Sequence, residues 1–150
     1  MNREIKFRAW NEKHRCMFYF SLREVDKGVI WAKKNDKEIA MCISCKSENH
    51  NNIMQYTGLK DKNGKDIYEG DIVKHKLPDC SHSEGPLLIG EIEFVEDKAS
   101  FRTCSNYFGE EPIHDDIELE IIGNIYQNQE LLEQEDIAWN MKSRGRWTNA

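Results

Sequence analysis

Residues 53–74 read Ile53-Met54-Gln55-Tyr56-Thr57-Gly58-Leu59-Lys60-Asp61-Lys62-Asn63-Gly64-Lys65-Asp66-Ile67-Tyr68-Glu69-Gly70-Asp71-Ile72-Val73-Lys74, and this stretch decides the fold. Its first seven residues are apolar and β-prone, which reads as a strand. Asp61-Lys62-Asn63-Gly64 follows, and Asn-Gly tolerates positive φ at both positions, so a tight turn is expected. Ile67-Tyr68 then runs into Glu69-Gly70-Asp71 and Ile72-Val73-Lys74. Glycine followed by aspartate at that place marks a corner that enters a further strand.

Working outward, the same rhythm of short strands and turns recurs. Ile5, Phe7 and Ala9 alternate with Glu4, Lys6 and Arg8, the period-two pattern of a half-buried strand with one wet face. Residues 15–20 form a second strand after a turn at 11–14, and residues 29–31 and 38–43 supply two more. The polar stretch 46–52 is a loop and the boundary between two lobes. Beyond the central stretch, 76–86 reads as a loop, Ile92 and Phe94 mark a strand with acidic neighbours, 96–98 a turn and 99–103 a returning strand. Residues 105–116 read as another loop, and Ile117, Leu119 and Ile121 alternate with Glu118 and Glu120 in a last strand. One helix begins near Gln129. Asn128 is its N-cap, Glu130 lies in its first turn, and Leu131, Leu132, Ala138 and Trp139 share a face. The expectation is a mainly β (α+β) protein, a small barrel or strongly bent sheet rather than parallel α/β. Its parts are a β-rich lobe over 1–52, a second lobe with the helix over 53–136, and a tail over 137–150.

A chain of 150 residues with 39% hydrophobic and 32% charged side chains buries a core without needing disulfides or metal. Its longest apolar runs, such as Met17-Phe18-Tyr19-Phe20, fall far short of a membrane span. The segment behind Arg3 lacks the apolar stretch of a signal peptide. Five cysteines, at 16, 42, 45, 80 and 104, read as reduced thiols, and the expected location is the cytoplasm. Charge is uneven. Residues 1–37 hold 10 basic and 5 acidic side chains, whereas 80–136 hold 2 and 15.

Three blocks in order carry a family resemblance: Arg3-Glu4-Ile5-Lys6-Phe7-Arg8-Ala9-Trp10, the run from Met54 to Val73, and Ile122-Gly123-Asn124-Ile125-Tyr126 with Asn128, Glu130, Leu131 and Leu132. Over roughly residues 3–132 the chain resembles the YopX family, small proteins of phages and prophages. The resemblance implies a mainly β protein whose C-terminal part is an SH3-like barrel, encoded by a phage, prophage or other mobile element. It implies no known catalytic activity, because the family has none securely assigned. The proline common in that family after the asparagine is Gln129 here.

Several constellations bear on chemistry. Cys42-Ile43-Ser44-Cys45 has zinc-knuckle spacing, with His50, Cys80 and His82 as further ligands. An extended 38–45 strand, however, turns Cys42 and Cys45 to opposite faces. The same pair lacks the helix N-terminus of a redox motif. Cys104 with His114 and Asp115, or Cys80 with His82, has the residue types of a nucleophilic site but no surrounding motif. The acidic loop 110–116 lacks the alternation and glycine of a calcium loop. Lys6, Arg8, Trp10, Lys13, Arg15 and Tyr19 combine cations with aromatics, as do Lys60, Lys62, Lys65, Lys74 and Lys76 around Tyr56 and Tyr68. That is the composition of a nucleic-acid-binding barrel, opposed by an isoelectric point near 5.4. The acidic 80–136 block suggests instead a nucleic-acid mimic that occupies a basic groove of a host protein.

The reading that follows is a non-enzymatic binding module that contacts a protein partner or a second copy of itself, with no membrane role, no metal and no cofactor. The Tyr56-Thr57-Gly58 and Tyr68-Glu69-Gly70-Asp71 segments are expected to be mainly structural; Gln55, Tyr56, Lys60, Tyr68 and Asp71 are the candidate binding surface, with Gln55, Tyr56 and Lys60 its exposed members. The glycines nearby set corners, and Asp71 accepts hydrogen bonds from backbone N–H groups. The nucleic-acid-binding barrel is the alternative.

Overall fold

The computed structural model describes residues 4–42, 53–76, 87–105, 109–115 and 117–133. The chain forms two compact units, Met1–Gly58 and Leu59–Ala150; the sequence reading places the boundary at 52/53, in a polar stretch outside the described residues.

In the first unit, β1 (Lys6–Asn11) is flanked by β2 (Cys16–Ser21) and β5 (Ile53–Lys60), both antiparallel. The register sets Phe7 opposite Phe20 and Ala9 opposite Phe18. The Phe7 and Phe20 rings stack at 5.8 Å, a cross-strand pair of the kind that stabilises sheets. β3 (Val29–Lys34) and β4 (Lys37–Cys42) form a hairpin closed by Asn35-Asp36. Both turn residues have positive φ, as a two-residue hairpin turn demands. The hairpin places Ile30, Ile39 and Met41 against Ala9, Phe18, Phe20 and Phe7, and this cluster is the unit's core.

One expectation fails here. Arg8 and Trp10 are 3% and 2% exposed, so the face of β1 expected to be wet is covered as well. The reason is position. β1 is a central strand, and the period-two pattern reports which side chains share a face, not whether the second face stays in solvent.

In the second unit, Leu59 and Lys60 end β5 and turn through Asp61–Gly64 into β6 (Asp66–Tyr68). β7 (Asp71–Lys76), β8 (Leu87–Val95), β9 (Ser100–Ser105), β10 (Gly109–Pro112) and β11 (Glu120–Asn124) form an antiparallel sheet in the order β10-β9-β8-β7-β11. The sheet curls into a half-barrel. Ile67, Val73, Ile92 and Leu119 fill its core, with Leu59, Ile113, Ile117 and Ile121 packed against them. A single 3-10 turn, Glu96–Lys98, joins β8 to β9.

Residues 130–133 are helical, so the protein is mainly β with one C-terminal helix. The carbonyl of Asn128 accepts from the Leu131 N–H at 3.0 Å. Its side chain points backwards instead of capping, and Oδ1 accepts from the Asn124 N–H at 3.4 Å. Two strand assignments change. Residues 109–112 pair with β9 although 105–116 reads as a loop. The last strand begins at Glu120, not Ile117, and the pairing with β7 shifts between Ile121 and Gly123.

Candidate functional site

The central stretch and the Gly-Asn-Ile-Tyr block meet in the second unit. Asp61 is 7% exposed. Its Oδ1 accepts from the N–H groups of Asn63 and Lys65 at 2.9 Å each, and its Oδ2 accepts from the Ile121 N–H at 3.3 Å. The Lys62 N–H donates to the Leu119 carbonyl at 2.9 Å. Burial alone drives the Asp61 carboxyl upward, but the N–H groups of Lys65, Ile121 and Asn63 outweigh it and hold the carboxyl below its ordinary range.

A second clasp closes at Gly70. Its φ of 73° lies in the left-handed region, which glycine enters without penalty. The Gly70 N–H donates to the Ile92 carbonyl at 2.8 Å, and its carbonyl accepts from the Ile125 N–H at 2.9 Å. Asp71, 1% exposed, accepts from the Tyr68 N–H at 2.9 Å, the backbone bond the corner reading calls for. Asn124 Oδ1 accepts from the N–H groups of Tyr126 and Gln127 at 3.1 Å each. The two blocks are thus joined through Gly70 and Ile125, while Asp71 and Asn124 each bind backbone within their own block.

This geometry buries most of the candidate surface. Tyr56 and Tyr68 are 7% and 4% exposed, and Asp71 is buried. Gln55 is half-buried, and only Lys60 of the five is well exposed. Lys6 Nζ lies 4.8 Å above the Tyr56 ring. Three of the five cations expected to surround the tyrosines are engaged: Lys60 pairs with Asp66, Lys62 with Glu120, and Lys74 with Glu120 at 3.1 Å. Alternation in a strand shows that residues share a face, and the aromatic residues took the inner one because their area is worth most there.

The cysteine expectations divide. Cys42 is disulfide-bonded, which corrects the reading of five reduced thiols, while Cys16 and Cys104 are free thiols. Cys45, His50, Cys80 and His82 lie outside the described residues, as does the tail from residue 134. Cys104 faces Glu110 on β10 and Glu91 on β8. Burial, with Glu93, Glu110 and Glu91 around it, pushes its thiol up to about 11, the opposite of what a nucleophile needs. Burial and Glu93 likewise raise the Glu91 carboxyl to about 7.

Among the buried polar groups that the sequence reading missed is His75, 3% exposed. Its Nε2 lies 3.3 Å from Thr103 Oγ1 and its Nδ1 3.4 Å from the Lys76 carbonyl. Burial lowers its pKa, against the raising effects of the Lys76 bond and Glu111. The signal was present, because period two puts His75 on the face of Val73.

Comparison with known proteins agrees with this picture. The family described as YopX protein matches residues 6–133. The chain is similar to the crystal structure of protein EF1440 from Enterococcus faecalis, with a TM-score of 0.52 and 24% identity over 87% of this chain and 99% of that one. It is also similar to the X-ray structure of protein yopX from Bacillus subtilis, with a TM-score of 0.48 and 23% identity over 85% and 95%. No curated protein matches. The likeness to EF1440 concerns the fold, and the family match runs from β1 into the C-terminal helix: the chain belongs to the YopX family.

Proposed function

We propose that the protein is a non-enzymatic binding module of phage or prophage type, and that its partner is a second copy of the same chain, joined through the outer edge of β2. The observation that carries this is the composition of β2. Cys16-Met17-Phe18-Tyr19-Phe20-Ser21 has no charge, and among the described residues its ladder partner is β1 alone. Natural sheets defend such edges with charge, proline or brevity. β10, an edge of the second unit's sheet, is defended in that way: it is the four-residue Gly-Glu-Glu-Pro. An uncharged edge pairs with its own copy about a two-fold axis without like-charge conflict, giving an isologous contact. Five large apolar side chains of the first unit, Ile5, Tyr19, Leu22, Trp31 and Ile53, are exposed, and Tyr19 and Leu22 lie on β2 and at its exit. The structural use of Asp61 and Asp71, whose carboxylates accept backbone N–H groups, supports a role without catalysis.

Light scattering coupled to size exclusion tests this. The expected mass is about twice 17.7 kDa at micromolar concentration. Tyr19→Glu sets like charges across the two-fold axis and should return the monomer with an unchanged circular dichroism spectrum. Leu22→Glu is a second probe should Tyr19→Glu disturb folding. A wild-type monomer at high concentration, or folded variants that still dimerise, would overturn the reading.

A further inference from the structure

The first unit contains a cavity of about 460 Å³ lined by Lys13, His14, Asn35, Lys37, Glu38 and Ile39. Lys13 and His14 come from the turn between β1 and β2, and the other four from the tip and returning strand of the β3–β4 hairpin. Two turns distant in sequence thus gather two ammonium groups, an imidazole, an amide, a carboxylate and an apolar wall. The volume is within the range of small-molecule sites, roughly 300–1,000 Å³.

The lysines here differ from four of the six lysines among the described residues of the second unit. Lys60, Lys62, Lys74 and Lys98 all have carboxylate partners. Among the described residues, Lys13 and Lys37 have none, although Glu38 lines the same cavity. The surrounding sequence, 1–37, is also the basic part of the chain. Two lysines that line one open depression without a carboxylate partner attract an anion, and lysine acts on phosphate as a point charge.

We infer that this cavity binds a small phosphate monoester whose body carries hydroxyl groups, of the size of a sugar phosphate. Lys13 and Lys37 take the phosphate from two walls. Glu38 sets the rest of the specificity. Its carboxylate accepts hydrogen bonds from hydroxyl groups and repels a long polyanion, so a single phosphate on a hydroxylated body fits where a nucleic-acid strand does not. Asn35 offers both a donor and an acceptor, and Ile39 covers the apolar part of the body.

Calorimetric titration of the full chain with ribose 5-phosphate, inorganic phosphate and ribose tests this. Ribose 5-phosphate should bind saturably, inorganic phosphate more weakly and ribose not at all. Lys13→Gln and Lys37→Gln should each weaken binding by about threefold to fivefold, as the loss of one exposed charge contact allows. The double variant should abolish it, Lys98→Gln should leave it unchanged, and Glu38→Gln should erase the preference for the sugar phosphate over bare phosphate. All four positions are on the surface, and circular dichroism verifies that each variant is folded. No saturation of the wild type by about 10 mM ligand, wild-type affinity in the double variant, or equal binding of bare phosphate would overturn the inference. So would tighter binding of a single-stranded oligonucleotide at these lysines.

Discussion

Gly123 and Asn128 share one small volume. A Cβ built on Gly123 would stand 2.6 Å from Asn128 Oδ1 and 2.7 Å from its Cβ. Gly123→Ala should therefore destabilise the fold by about 1–3 kcal/mol, read as a lowered Tm. Asn128→Ala should rescue it only in part, because the Asn128 Cβ remains, while Asn128→Gly should rescue it more. Full stability in Gly123→Ala would refute the clash. Two carboxylates give opposite pH responses. Asp61 is held below its ordinary value, so its stabilisation is present above that value and is lost as pH falls through the depressed one. Asp61→Asn turns a donor toward the Ile121 N–H and should cost about 1–3 kcal/mol near neutrality, with less difference from wild type in acid. Glu91 is raised to about 7, so its contribution is whole below the ordinary carboxylate value and is lost as pH rises through about 7. Glu91→Gln should match the wild type near pH 4 and exceed it near pH 8, in urea unfolding followed across pH. Identical pH profiles for wild type and Glu91→Gln would remove that assignment. At this scale the sequence revealed the types of residue but not their surroundings. Asp71 could be read as a backbone acceptor because Gly-Asp implies a corner, whereas nothing in Tyr56 or Tyr68 says which face of their strands would be closed.

Strand by strand, the protein was most legible where local signals agree. Asn63-Gly64 fixes the turn before β6, Gly70-Asp71 the corner before β7, and the aromatic run fixes β2. β10 was illegible because Gly109-Glu-Glu-Pro112 has neither alternation nor β-branched residues, and it exists as a strand only because β9 supplies its ladder. β11 was misplaced because the apolar alternation from Ile117 to Ile121 describes core contacts rather than pairing. Ile117 and Leu119 pack in the core without joining the ladder, and the register shift after Ile121 breaks the period. This difference should appear in amide hydrogen exchange. β7 and β8 are each paired on both sides and supply Ile72, Val73, Leu88 and Ile92 to the interior, whereas β10 is paired on one side and buries none of its four residues. The amides of Ile72, Val73 and Ile92 should exchange at rates near those set by global unfolding, and those of Glu110 and Glu111 orders of magnitude faster. Protection in β10 equal to that in β7 would show that the edge strand is part of the cooperative unit.

For the molecule as a whole, the charge map alone admits two opposite partners, a nucleic acid on the basic residues of 1–37 or a basic host protein on the acidic residues of 80–136. The fold removes much of what the first needs. Binding to a single strand requires aromatic faces open to bases beside cations open to phosphates. Arg8, Trp10, Tyr56 and Tyr68 are buried, Lys6 covers Tyr56, and Lys60, Lys62 and Lys74 are matched by carboxylates. Of the aromatic residues in that reading, Tyr19 alone keeps a largely exposed ring, at 57%, and one stacking platform on a protein of formal charge −6 gives little retention. The expected result is that immobilised single-stranded DNA does not hold the protein even at about 20 mM salt, where counterion release favours binding most. Retention that weakens steeply as salt rises to moderate levels would mean that the exposed Lys13, Arg15 and Tyr19 suffice. The test also separates the two cationic roles of the first unit. A cavity that selects a monoester through Glu38 binds its ligand with a shallow salt dependence, because one phosphate releases about one counterion, whereas a strand across the same surface releases several.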